Sequence, residues 1–321
     1  LTPYDVRQSG FAGAAINAVS KSGTNQFHGS AYFLFTDKNW QGPDEFGPNI
    51  HKRTALKERT YGYTLGGPII KDRLFFFANY ERFIQDSAPT LPGFTPDPAF
   101  VTAVQAKMTS LAGAPDAGTF GGSSTTRKYD VKRLAKIDWN ITQDHRLAVR
   151  YSDTNSQQPS FGSFNYTSFS QPVAITGQPS TFVNGGTGLS SSYFSLKIKE
   201  TVLAGQLFSN WSPSFKTEID YSDTKQDSIR AVPLTFPEIR IFNVPGTATT
   251  GAAISTNDAF RFGSEISSMG NDLHVKTQTM AASGDYLWKE LTVTAGFDHE
   301  KNSYLNLFRQ GSYGYFDYLN L

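Results

Sequence analysis

The feature that most restricts what this chain can fold into is the rhythm of its connections. Runs in which apolar and polar residues alternate with period two occupy about residues 25–36, 57–67, 74–83, 126–140, 145–154, 193–211, 215–225, 272–288 and 291–306. Such alternation marks strands with one face buried. Between these nine runs, long connections at about 37–56, 84–125, 155–192 and 226–271 take turns with short ones. The short ones are GPIIKD at Gly67–Asp72, TQDH at Thr142–His145, SPS at Ser212–Ser214 and KE at Lys289–Glu290. Successive connections of an antiparallel meander lie at opposite ends of the sheet, so every tight turn falls at one end and every long loop at the other. Long loops without structure of their own are uncommon in compact domains, and where they recur regularly they point to function.

The strand KYDVKRLAKIDWN shows the two faces most clearly. Tyr129, Val131, Ala135, Ile137 and Trp139 fall on one side, and Lys128, Asp130, Lys132, Lys136 and Asp138 on the other, with Arg133 interrupting the apolar side. Aromatic residues make up 14% of the chain while all hydrophobic residues reach only 38%, so the apolar surface comes largely as rings. Short turns at one end, long loops at the other, alternating strands and abundant rings together describe an all-β, antiparallel transmembrane β-barrel. The physics requires that combination, because hydrocarbon offers no partner to a backbone N–H or C=O and a sheet can cross it only when closed. Apolar side chains then face lipid and polar ones the lumen. Arg133 has to sit near the outer interface, or its strand has to contain a bulge. No apolar run approaches the roughly 18 residues of a membrane-spanning helix, the densest being LFFFA at Leu74–Ala78.

The run GAAINAVSKSGTNQFHGSAYFLF, Gly13–Phe35, changes character at a turn: Ala, Ile, Asn and Val before it, Phe and Tyr after it. It resembles the junction in TonB-dependent outer-membrane receptors where the last strand of the plug domain passes into the first strand of the barrel. YGYTLGGPIIKDRLFFFANYERF is similar to the second strand, periplasmic turn and third strand of the Oar-like branch of that family. RLAKIDWNITQDHRLAVRYSDTN and KETVLAGQLFSNWSPSFKTEIDYS continue the likeness. The resemblance implies residues 1–24 as the end of a plug and 25–321 as the N-terminal part of a barrel, a fragment of about 9–10 strands out of a larger number. SYGYFDYLNL at the end of the chain would be roughly the tenth strand. It further implies Gly23, Thr24 and Asn25 at the turn, Phe33 and Phe35 in lipid, and Arg7 and Lys21 on the plug remnant facing the barrel wall.

The function implied is that of a TonB-dependent transporter in the bacterial outer membrane. Extracellular loops would capture a scarce iron chelate, oligosaccharide or peptide, the plug would prevent leakage, and a TonB–ExbB–ExbD motor would open it. The rival readings are a passive porin or structural barrel, and a secreted β-rich adhesin. A plug strand leading into the barrel separates the first from the passive pore, and lipid-facing rings separate both from the adhesin.

Little else competes. The charges balance at 29 Lys+Arg against 28 Asp+Glu without a basic block, which argues against a nucleic-acid partner. The absence of Cys excludes disulfides and thiolate chemistry. The five histidines form no metal-ligand spacing, no GxSxG occurs, and GGTGLSS at Gly185–Ser191 lacks the third glycine of a dinucleotide loop. No catalytic residue, metal or cofactor is therefore expected. One long loop contains a helix signal: Asp97 and Pro98 at the start, then Phe100, Val104, Met108 and Leu111 at helical spacing before Gly113.

Overall fold

The computed structural model describes residues 20–40, 44–46, 49–51, 56–87, 94–121, 126–161, 186–248 and 259–321. Nine long strands form one antiparallel sheet in unbroken chain order. They are β1 His28–Asp37, β2 Leu56–Ile70, β3 Leu74–Ser87, β4 Thr126–Asn140, β5 His145–Phe161, β6 Tyr193–Ser212, β7 Phe215–Ala231, β8 Asn271–Trp288 and β9 Leu291–Phe308. All nine anticipated strands are present. Three run four to seven residues farther toward the loop end than their alternation predicts, because stretches such as SDTNSQQPSF in β5 are polar on both faces and give no period-two signal. The sheet does not close on itself: β1 and β9 are its two edges.

The tight turns follow from local chemistry. Asp72 adopts a left-handed backbone (φ 63°), a conformation that Asp tolerates better than most residues. Asn25 holds it from below β1. The Asp72 amide donates to Asn25 Oδ1 at 2.7 Å and the Asn25 amide group donates back to the Asp72 carboxylate. Asn140 adds a bond to the Asp72 carbonyl at 3.1 Å, tying the first turn to β4.

The loop end is not a set of separate strings. A second, four-stranded sheet runs in the order Tyr315–Tyr318, Glu238–Ile241, Ala259–Phe262, Gly186–Gly188. The helix α1, Pro98–Ser110, packs against it. Phe100, Val101, Val104 and Met108 form the buried face of α1, and the Phe100 ring meets Phe260 edge-on at 5.4 Å. Leu111, which the helical spacing places on the same face, caps the helix in extended conformation and is exposed. Among the described residues the main hydrophobic core lies here, around Val104, Leu189 and Phe260, with Phe242 buried beside it. Polar bonds stitch the loops: Ser190 N donates to Thr119 O at 2.9 Å, and the Ser191 hydroxyl donates to Ala117 O at 2.6 Å.

The end of the chain departs from expectation. Tyr315–Tyr318 is not a tenth strand of the large sheet but pairs in parallel with Glu238–Ile241 in the cap. Two glycines cause this. Gly311 (φ 64°) and Gly314 (φ 84°) take left-handed conformations open to glycine and turn the chain away from the line of β9.

Candidate functional site

The two faces of the large sheet differ most toward its turn end. From β2 to β9 one face there is mainly apolar: Leu65, Phe76, Ile137, Val149, Leu207, Ile219, Met280 and Phe297 are neighbours through direct cross-strand pairing or one row apart. Ile137 (38%), Val149 (37%) and Phe297 (58%) are far more exposed than core residues. An apolar area of this extent is not left to water. Trp139, Trp211, Phe215, Tyr286 and Trp288 fringe it at the turn end, and Tyr61, Tyr63, Tyr80, Tyr151 and Tyr221 at the other margin.

The margin itself is sharp. Moving toward the loop end from these apolar rows, this face turns polar at Arg59 on β2, Arg82 on β3, Arg133 on β4, Asp153 on β5, Thr201 on β6, Asp223 on β7, Gln278 on β8 and His299 on β9. The pairing row through Arg59 passes Ile84, Tyr129, Gln157, Lys197, Ile229 and Asp272 and arrives at Leu307, eight residues from His299. The margin therefore cuts diagonally across the rows. Eight residues of ~3.3 Å over seven strand spacings of ~4.8 Å correspond to strands tilted ~38°, within the roughly 35–45° of barrel walls. The tilt is thus written in where the outward side chains change from rings to charges.

Arg133 stands on this margin. Its strand carries no bulge toward either neighbour, and the guanidinium pairs with Asp153 directly across on β5. Tyr129 and Val131 share the face of Ile137 and Trp139 but lie beyond Arg133, where Val131 is buried (8%) rather than open. Phe33 and Phe35 are exposed on the same face, ring to ring at 5.6 Å.

The opposite face is predominantly polar and densely bonded, with Phe75, Phe77 and Phe208 interspersed. Lys132 lies 3.1 Å from Asp130 and 3.4 Å from Glu81. Glu81 also accepts a bond from the Tyr32 hydroxyl, which reaches it across Gly62. A Cβ at Gly62 would sit 2.7 Å from that hydroxyl, so only glycine allows the tyrosine to cross the intervening strand. Lys136 and Asp138 are nearly inaccessible and 3.4 Å apart, and Arg146 reaches Asp138 at 2.7 Å. Lys128 is partly buried on the same face.

The chain ahead of β1 runs over this polar face. Lys136 Nζ donates to the Ser22 hydroxyl at 2.8 Å. Gly23 lies against the backbone of β2 and β3, where an added Cβ would meet Phe76 O at 2.3 Å and Gly67 O at 2.7 Å. Lys21 is exposed and makes no ion pair among the described residues, while Arg7 lies outside them. The contact to the sheet is thus made by Ser22, which sequence reasoning passed over. Its partner is more than a hundred residues away and no local pattern announces it.

Residues 19–107 match a family model described as an outer membrane beta barrel domain. Over 198 residues the chain is 30% identical to the TonB-dependent transporter Oar of Myxococcus xanthus. This chain is related to TonB-dependent transporters. The aligned part is 58% of this chain and 18% of that protein, so the chain spans less than a fifth of its relative's length. Among solved structures it resembles the outer membrane transporter YddB from Escherichia coli (TM-score 0.49, 11% identity, 86% of this chain and 30% of that one). It also resembles the siderophore receptor PirA from Acinetobacter baumannii (TM-score 0.47, 14% identity, 89% and 31%). The nine-stranded sheet of this Oar-related chain is an outer-membrane β-barrel wall, and its place is the bacterial outer membrane.

Proposed function

We propose that this chain supplies wall and mouth to an actively driven outer-membrane transporter that takes up a scarce solute, an iron chelate, an oligosaccharide or a peptide. The observation that carries the reading is the path of residues 20–24 along the polar face before the chain enters β1. A passive pore has no use for a segment that enters its lumen ahead of the first strand, whereas a plugged transporter requires one. In this reading residues 1–24 end a plug and 25–321 begin the barrel. Lys128, Asp130, Lys132, Lys136 and Asp138 line the wet interior, and Phe33, Phe35, Ile137 and Trp139 meet lipid. Tyr129 and Val131 rise on the lipid side but above the hydrocarbon.

The cap assembled from α1 and the four short strands covers the outer end of this wall, and solute would meet it first. Force would come from the TonB–ExbB–ExbD machinery acting on the plug. Bonds such as Ser22 to Lys136 are the kind that must break and reform, since each is worth only about 0.5–1.5 kcal/mol net. Transport of this kind needs no covalent step and assigns no catalytic residue.

The test is uptake by cells carrying the full-length protein, using labelled ferric chelates, oligosaccharides and peptides, with and without a protonophore. Accumulation of one class that collapses with the protonophore is expected. Entry that ignores the protonophore would instead identify a passive pore.

A further inference from the structure

We propose that the outer edge of the four-stranded cap sheet, Tyr315–Tyr318, is a receptor strand for an extended peptide, which joins the sheet beside it. The inference rests on the transporter reading and deepens it by naming a peptide as the solute class. The parallel register with Glu238–Ile241 fixes which groups of the edge are open. Glu238 N donates to Gly314 O at 3.2 Å and Phe242 N donates to Tyr318 O at 2.8 Å, so the main-chain groups of Phe316 and Tyr318 turn inward to that strand. Those of Tyr315 and Asp317 point the other way, where no described strand lies. The ledge they form is short and bounded. Gly314 (φ 84°) bends the chain at one end, and at the other the Asn243 amide group donates to Leu319 O at 2.9 Å.

The side chains match the same occupant. Two apolar rows cross the sheet, Phe316 beside Ile239 and Phe262, and Tyr318 beside Ile241 and Phe260. Their inner members are buried, whereas Phe316 (51%) and Tyr318 (50%) are half open. One more strand with an apolar side chain at every second position would complete both rows. On the opposite face Arg240 grips the Asp317 carboxylate and lies 4.8 Å from the centre of the Tyr315 ring, so the edge strand is held in place before any ligand arrives. The same bond neutralises the one charge on the strand. Exposed edges are ordinarily guarded by lysine, proline or a bulge, and YFDY carries none of these. Main-chain donors and acceptors that repeat every ~6.6 Å along the ledge answer the same repeat in another extended chain. A chelate or an oligosaccharide can stack on the two rings but has no such repeat, and it leaves the backbone groups of Tyr315 and Asp317 without partners.

The experiment uses the full-length protein in a neutral maltoside detergent, without any energy source, so its result does not depend on whether uptake is driven. The probes are octapeptides with apolar residues at alternate positions, the same peptides methylated at every backbone nitrogen, and maltohexaose. Binding is read by fluorescence anisotropy of labelled peptide and by hydrogen exchange. The plain peptides should bind, and the amides of Tyr315 and Asp317, fast in the free protein, should slow once peptide is present. The methylated peptides and maltohexaose should leave them fast. Phe316→Lys puts a charge on the open row and should weaken peptide binding by about tenfold or more, as loss of a central aromatic contact does. Lys107→Gln on the exposed side of α1 should bind like wild type. Exchange at 238–241 reports whether the cap is intact, and if Phe316→Lys disturbs it, Tyr318→Lys carries the same expectation. Equal affinity for the methylated peptides, or unchanged affinity in a variant with an intact cap, overturns the proposal. Slow Tyr315 and Asp317 amides before peptide is added would show the ledge filled by the protein's own chain and overturn it as well. Absence of peptide binding in a protein that accumulates a chelate or sugar in a protonophore-sensitive way overturns the peptide assignment and leaves the transporter reading standing.

Discussion

Ile137→Arg tests the depth that the diagonal margin assigns to each outward residue. With strands tilted ~38°, each residue advances ~2.6 Å along the barrel axis. Ile137 lies four residues from Arg133 toward the turn end, which places it ~10 Å inside the hydrocarbon. The apolar band of such barrels is ~25 Å tall, so the site is close to mid-depth and an arginine there costs about 2–4 kcal/mol. Asn155→Arg is the control on the adjacent strand. It shares the face but stands two residues beyond Asp153, ~5 Å outside the band, where the cost falls to about 0–1 kcal/mol. The assay is urea unfolding of the full-length protein in phosphatidylcholine vesicles, followed by tryptophan fluorescence and by gel mobility of unheated samples. Equal losses for the two variants, or a loss under 1 kcal/mol for Ile137→Arg, would refute the depth assignment.

Gly62→Ala should cost about 1–3 kcal/mol as an overpacked site, since its Cβ would lie 2.7 Å from the Tyr32 hydroxyl and 2.8 Å from Tyr80 O; the same unfolding assay measures it. In the cap, Asp317→Ala should cost about 1.5–3 kcal/mol by removing a charge-assisted, two-pronged hydrogen bond from buried Arg240, whose guanidinium grips that carboxylate at 2.6 and 2.8 Å. Hydrogen exchange should quicken at 238–241 and 315–318 while the wall amides hold. Glu238 provides a pH signature. Burial pushes its carboxyl above the ordinary range, against the opposing pull of Arg261 and Arg240. A folded value above the unfolded one means the contribution to cap stability is fully present below the unfolded value near about 4.3. It is lost as pH rises through the folded value. The opening free energy of cap amides should therefore decline over that interval in wild type relative to Glu238→Gln, and parallel curves would count against it.

The large sheet was readable because its information is local. In β4 each outward ring sits two residues from the next, so KYDVKRLAKIDWN declares both its conformation and its faces. The same locality explains why strand ends such as 155–161 were missed, since above the apolar zone neither face needs rings. The cap was almost invisible for the opposite reason. Glu238–Ile241 and Ala259–Phe262 are four residues each, and their meaning lies in partners such as Asp317 and Val104 that stand far off in the chain. Only α1 announced itself, through a local period. YFDY near the end misled because alternating rings suit a wall strand as well as a buried cap strand. The discriminating signal was its single Asp, which answers Arg240 in EIRI, together with the glycines before it. In the candidate site, the acidic and basic residues of β4 were legible, while the bond from Lys136 to Ser22 depends on where the preceding chain crosses the sheet.

Because one hydrophobic centre is shared by segments from three connections, the mouth of this barrel cannot be re-engineered one loop at a time. A chimera that borrows only the 232–270 connection from a relative would bring half of a handshake and leave Leu189 and Val104 facing strangers. Ligand preference in such a mouth should travel between relatives as a block, inherited or exchanged together.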